Sequence, residues 1–381
     1  MSSVLFEETA ERGLLRESVR ALAARYGHAY YAEKARSDGR QTELWRELGE
    51  QGFLGVTVPE EYGGAGLGTA ELAIGAEELA RAGCPVLLLA VVPAICAPII
   101  ARHGSDELRA RWLPRFASGE AVMAFAITEP DAGSNSHKVS TVGERLPDGG
   151  WRLRGTKHYI SGVDEAEAVL VVGRTEKGMS MWVVPTDAPG FSKTLIPVEI
   201  VAPENQYTLF FDDVELGEDA LIGEEGEGLK QVFAGLNPER IVGAATANGL
   251  GLYALEKAAA YARERVVWSV PIGAHQGVAH PLAKCKIEVE LARLMTQKAA
   301  WLYDSGQEAG EASNMAKYAA AEACLAAIDQ AIQTHGGMGF SSEVGLADLW
   351  FAARLVRTAP VSREMILNFV AQHSLGLPRS Y

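Results

Sequence analysis

The hydrophobic period of this 381-residue chain changes twice along its length, and that restricts the fold more than any single motif does. From Glu7 to about Ser118, apolar residues recur at spacings of three and four, as in LRESVRALAARYG, TELWRELGEQGF, ELAIGAEELARAG and DELRARWLPRFASG. Such spacing predicts amphipathic helices. Near Ala121 the pattern shortens to WRLRGTKHYISG, AVLVVGRT, SMWVVPT and TLFFDDVEL, runs rich in Val and aromatics and separated by Gly, Pro and Asp. These read as strands. Helical spacing returns from Glu225 in four long segments joined by short links. The expectation is an α+β fold in three domains: helices over 1–119, a β-barrel or sandwich over 120–228 and an antiparallel four-helix bundle over 229–381. Asn237 and Pro238 read as the N-cap and first residue of the first long bundle helix. The Ala-rich faces of the third suit a subunit interface.

Several classes of function are excluded early. A net charge of −14 argues against a nucleic-acid partner, because phosphate binding needs clustered Lys and Arg. The uncharged stretch Cys84 to Ala101, CPVLLLAVVPAICAPIIA, is nearly long enough to tempt a membrane assignment, but Pro85, Pro93 and Pro98 interrupt it. It reads as a buried, broken helix pair. Cys84, Cys96, Cys285 and Cys324 show no C-x-x-C spacing and read as buried thiols of a reducing compartment. The first residues carry acids and no apolar core, so neither a secretory nor a transit signal is expected and the cytoplasm is the default. No His, Cys and carboxylate spacing suggests a metal site, and no G-x-S-x-G elbow is present.

The stretch AFAITEPDAGSNS, Ala124 to Ser136, reads as a wall for a planar cofactor. Phe125 and Ile127 alternate as apolar positions, Thr128 and Ser134 offer hydroxyls, and Pro130, Ala132 and Gly133 hold a tight turn that a ligand can approach. Glu129 and Asp131 in this loop are expected to face solvent or cap the turn. Three later patches add to it: KHYIS with Tyr159 and Ser161 on one strand face, RVVWSVPIGAHQ from Arg265 to Gln276, and QTHGGMGF from Gln333 to Phe340.

Together these patches resemble the acyl-CoA dehydrogenase family. The loop matches A-[ILVM]-[ST]-E-x-x-x-G-[ST]-D at Ala126, Ile127, Thr128, Glu129, Gly133 and Ser134, and departs from it at Asn135. KHYIS is similar to K-x-W-I-T, RVVWSVPIGAHQ to R-x-x-F-G-x-x-I-x-x-x-Q with Trp268 for Phe, and QTHGGMGF to Q-x-x-G-G-x-G-[FY]. The resemblance implies an FAD flavoprotein of fatty acid metabolism that oxidises an acyl-CoA to the 2-enoyl-CoA and passes electrons to an electron-transfer flavoprotein, as a homodimer or homotetramer. It implies flavin and thioester contacts at Phe125, Ile127, Thr128, Gly133, Ser134, Tyr159 and Ser161. Adenosine and pyrophosphate contacts across a subunit boundary fall on Arg265, Trp268, Gln276, Gln333, Gly336 and Gly337.

One departure bears on the chemistry. Removing a proton alpha to a thioester needs a carboxylate, and the family's Y-E-G-T Glu falls on Pro360. Proline can take no proton and has no N–H with which to polarise the thioester oxygen; the amide of Val361 is the neighbouring substitute. Ser362 and Glu364 match the flavin-contacting T-x-E that follows. In the isovaleryl-CoA and long-chain relatives the base lies on the long bundle helix, which here implies Glu239, supported by Arg240. The vacant seat leaves two other readings open, an enoyl-CoA reductase and a non-catalytic FAD-binding scaffold.

Overall fold

The computed structural model describes residues 8–37 and 39–379. The expectation about an N-terminal signal rests partly on residues 1–7, outside the described residues. The chain opens with α1 (Ala10–Arg36, broken at Gly27), α2 (Thr42–Glu50) and α3 (Thr69–Arg81). Next come α4 (Leu88–Val91), α5 (Ala97–His103) and α6 (Asp106–Ser118). Ser105 caps α6 by accepting the Leu108 N–H at 3.3 Å, which satisfies one of the unpaired donors of its first turn. The stretch that tempted a membrane assignment is buried and broken as expected. Pro93 has no N–H to offer, and α4 and α5 are joined through a wider turn of π type over Val92–Cys96. No helix among the described residues is long and apolar enough to cross a membrane.

The sheet comprises β1 (Met123–Ala126), β2 (Val142–Arg145), β3 (Trp151–Ser161), β4 (Ala168–Thr175), β5 (Gly178–Pro185), β6 (Phe191–Ile196), β7 (Gln206–Leu216) and β8 (Leu221–Ile222). Its order is β6-β7-β3-β2-β4-β5-β8, with β1 running parallel beside β4. The near-continuous apolar run of β4 follows from its being buried on both faces. β6 and β8 are the edges, so the sheet stays open rather than closing into a barrel: β8 is two residues long and β6 is largely exposed.

The C-terminal part holds α7 (Gly228–Glu264), the hairpin β9 (Val266–Val267) and β10 (Val270–Pro271), α8 (Gln276–Asp304), α9 (Gly310–His335), α10 (Trp350–Leu355) and α11 (Arg363–Phe369). Three details differ from the sequence reading. The first long helix begins at Gly228, not at Asn237, so Pro238 lies inside it. Gly228 is where α7 touches β5: a side chain there would meet the Met179 backbone at 2.8 Å. The fourth long segment is short, with α11 continuing as one π-type turn to Ser374. Finally, the Ala-rich faces of α9 pack inside the chain, with Ala316, Ala320, Ala323, Ala327 and Ala331 buried. Small side chains let α9 approach α7 and α8 closely, which spends that surface within one chain. The exposed apolar stripe lies instead on α8, at Ile287, Leu291, Leu294 and Trp301.

Candidate active site

The loop after β1 is fixed by a buried ion pair. Lys157 of β3 is 0% exposed, and its ammonium donates to the Ile127 carbonyl at 3.0 Å and to Glu129 Oε1 at 2.8 Å. Glu129 also accepts the Ser140 N–H and hydroxyl, both at 2.6 Å, and the Thr141 N–H at 2.9 Å. Glu129 is therefore buried, not solvent-facing; a carboxylate with four donors is satisfied without water. Burial works against its charge, but Lys157, Ser140 and Thr141 outweigh burial and hold the carboxyl at about 2. Burial pushes the Lys157 ammonium down to about 8 against the pull of Glu129. The donor geometry keeps both partners charged at neutral pH.

The same contacts shape the strand. The β3/β7 register slips between Lys157 and Ile160, so one extra residue bulges from β3 and strict alternation between Tyr159 and Ser161 is lost. The His158 N–H turns to the Thr128 carbonyl at 2.9 Å. Tyr159 adopts φ 57° and stands 57% exposed, its ring edge-on to His158 at 4.4 Å. Ser161 donates to Gln206 Oε1 at 3.0 Å. Thr128 and Tyr159 are thus brought together, with Phe125 and Ile127 half-buried behind them and Gly133 and Ser134 exposed at the loop's far end. A Cβ at Gly133 would meet nothing within 4 Å. An outward-turned aromatic, a half-buried hydroxyl and an open glycine form a shelf that fits a planar ring system.

Glu239 lies one turn beyond the contact between α7 and the π turn, where Gly235 has no room for a side chain because Ile95 would lie 2.8 Å away. The carboxyl makes no hydrogen bond among the described residues; burial pushes it up to about 7, with Arg240 and Lys317 pulling it down. Arg240 donates to Asn237 Oδ1 at 3.0 Å and lies 5.8 Å from the centre of the Phe233 ring. Lys317 of α9, 2% exposed, is pushed down to about 8 by burial and by Arg240, against the pull of Glu239. Its ammonium donates to the Val361 carbonyl. Lys317 therefore tethers the segment after Pro360 beside the α7 acid, while the Val361 N–H donates to no partner among the described residues. Pro360 is exposed, Ser362 caps α11 by accepting the Met365 N–H at 3.3 Å, and Glu364 is exposed in that helix's first turn.

The remaining expected residues lie on the surface. Arg265, Gln276, Gln333, Gly336 and Gly337 are exposed. Trp268, at the tip of the β9–β10 hairpin with φ 65°, is 93% exposed, and Phe340 is 76% exposed. A bulky residue in that conformation is strained, and large bare aromatics ask for a partner surface. A cavity of about 560 Å³ lined by Leu291, Ala323, Trp350 and Arg357 contains none of the expected site residues. Sequence reasoning gave Lys157 and Lys317 no role. The signal for Lys317 was present, since it interrupts the otherwise small or apolar stripe Ser313, Ala316, Ala320 and Cys324 of α9.

Three family models match the chain in order: acyl-CoA dehydrogenase N-terminal domain over residues 9–120, middle domain over 124–214 and C-terminal domain over 226–375. The chain is similar to acyl-CoA dehydrogenase FadE12 of Mycobacterium tuberculosis, at 57% identity over 390 residues and 100% of both chains. Its fold is similar to that of the glutaryl-coenzyme A dehydrogenase glutaryl-CoA complex, with a TM-score of 0.92, 30% identity and 98% of each chain covered. A glutaryl-CoA dehydrogenase from Mycobacterium smegmatis in complex with FADH2 matches with a TM-score of 0.92 and 25% identity, over 100% of this chain and 97% of that one.

Proposed function

Because the chain belongs to the acyl-CoA dehydrogenase family, we propose that Glu239 is the base with which it converts an acyl-CoA thioester to the 2-enoyl-CoA. The observation that carries this reading is the carboxyl itself: half-buried, without a hydrogen-bond donor among the described residues, and pushed by burial to about 7. A base poised near the working pH combines the charged form with a real affinity for the proton. FAD, when bound, supplies the hydride acceptor. Residues that would hold it are Phe125, Ile127, Thr128, Gly133, Ser134, Tyr159 and Ser161 around the ring, to which the family's T-x-E motif adds Ser362 and Glu364. Arg265, Trp268, Gln276, Gln333, Gly336 and Gly337 suit the adenosine and pyrophosphate.

Glu239 takes the proton from the carbon alpha to the thioester. Arg240 and Lys317 favour its charged form before the transfer. The Val361 N–H, whose own carbonyl is held by Lys317, is the donor available to the thioester oxygen in the place Pro360 vacates. Proline at that place keeps a second reading within the family, an enoyl-CoA reductase, which runs the same chemistry in the other direction. The chain is read as three domains, 1–119, 120–228 and 229–381. It acts in the cytoplasm as a homodimer or homotetramer, its bare Trp268 and Phe340 meeting a second copy, and it passes electrons to an electron-transfer flavoprotein.

The test is anaerobic mixing with a panel of acyl-CoA thioesters. A dehydrogenase bleaches its flavin with at least one of them; a flavin that stays oxidised with all, and that enoyl-CoA reoxidises after chemical reduction, favours the reductase.

A further inference from the structure

Pro238 sits inside α7 one residue before Glu239. It has no N–H, so the carbonyl four residues earlier, that of Ala234, loses its donor within the helix. Pro114 and Pro281 also lie inside helices, but the carbonyls they strand belong to Ala110 and Gly277, both exposed, where water serves. Ala234 is 7% exposed and needs a donor from the protein. The Tyr303 hydroxyl, in the last turn of α8, donates to the Ala234 carbonyl at 2.7 Å. Burial pushes the Tyr303 hydroxyl up to about 12, so it keeps its proton at any working pH. The Arg102 guanidinium lies 4.9 Å from the centre of its ring and holds the ring in place.

From this geometry we infer that Tyr303 is a positioning residue for Glu239: its hydroxyl replaces the helix hydrogen bond that Pro238 removes and fixes the turn from which the carboxyl projects. The inference rests on Glu239 being the base. A turn held on one side by Ile95 against Gly235 and on the other by Tyr303 has little freedom to carry its acid away from the substrate. Small displacements of a base are costly to rate.

The experiment is a double-mutant cycle in the holoenzyme between Tyr303→Phe and Pro238→Ala, the latter returning the missing N–H. Tyr303→Phe is expected to slow flavin reduction about tenfold, to move the apparent pKa of the rate and to leave KM within about twofold. In the Pro238→Ala background, or in Pro238→Ser should that variant fold better, the same change is expected to fall within about twofold of no effect, with the melting temperatures showing the same coupling. Equal losses in both backgrounds would overturn the inference. So would coupled melting temperatures with an unchanged rate and pH profile. Failure of the base assignment reads differently, as Glu239→Gln reducing its flavin at the native rate whatever the cycle shows.

Discussion

Glu129 and Glu239 are both glutamates next to cations with burial working against their charge, yet one is held at about 2 and the other is raised to about 7. The difference lies in contact. Glu129 touches the Lys157 ammonium and three further donors, whereas Glu239 has Arg240 and Lys317 only as neighbouring charges, each committed to another acceptor. Donors in contact offset desolvation; charges spoken for elsewhere do so only in part. The first arrangement makes a rigid strut, and the second suits the proton acceptor proposed for Glu239. Two carboxyls whose environments drive them apart are the usual mark of divided labour in a site.

The sharpest way to break this contrast is to remove the proposed acceptor. Glu239→Gln should slow flavin reduction by acyl-CoA about 10²- to 10⁴-fold in stopped-flow measurements, and a native rate would end its role as base. Lys157→Met attacks the strut, leaving Glu129 buried and unpaired. Chemical denaturation should show a loss of about 3–5 kcal/mol. Replacing both partners, as Lys157→Met with Glu129→Leu, should restore much of that loss, because no bare charge remains.

The two acids should also respond to pH with opposite signs. The reduction rate should rise about tenfold per unit below pH 7 and level off above it, since only the charged form of Glu239 accepts a proton. For stability, a carboxyl raised in the folded state contributes below its unfolded value of 4.5, and that contribution is lost as pH climbs through about 7. Glu239→Gln should accordingly look more favourable at pH 8 than at pH 5 in thermal melts. Glu129 runs the other way: its contribution is present above 4.5 and drains as pH falls toward about 2. The smallest effect belongs to Lys317→Met. Losing one cation near Glu239 should move the midpoint of the rate profile upward by less than about one unit; a downward move would show that the Val361 tether, not the charge, matters.

How much of this was legible in the sequence varies by residue. The loop and strand were plain because AFAITEPDAGS and KHYIS are local patterns, and the β1 loop does meet β3 where Thr128 and His158 join. The bulge was not, because it depends on which strand β3 pairs with. Pro238 misled for a related reason: beside Asn237 it has the signature of a helix start, and only docking of Gly228 on β5 extends α7 upstream of it. The burial of Glu129 turned on Lys157, 28 residues away, and no spacing rule pairs them.

What the chain determined unaided was the succession of helical, strand and helical regions and the identity of its unusual residues, a proline in one seat and a glutamate in another. Those follow from periodicity and side-chain chemistry, both local. What only the tertiary structure decided was the charge state each acid prefers, because the free energy of a carboxylate depends on which donors other segments bring within about 3 Å of it. That proximity arises when α7, α8, α9 and the sheet pack together, and not before.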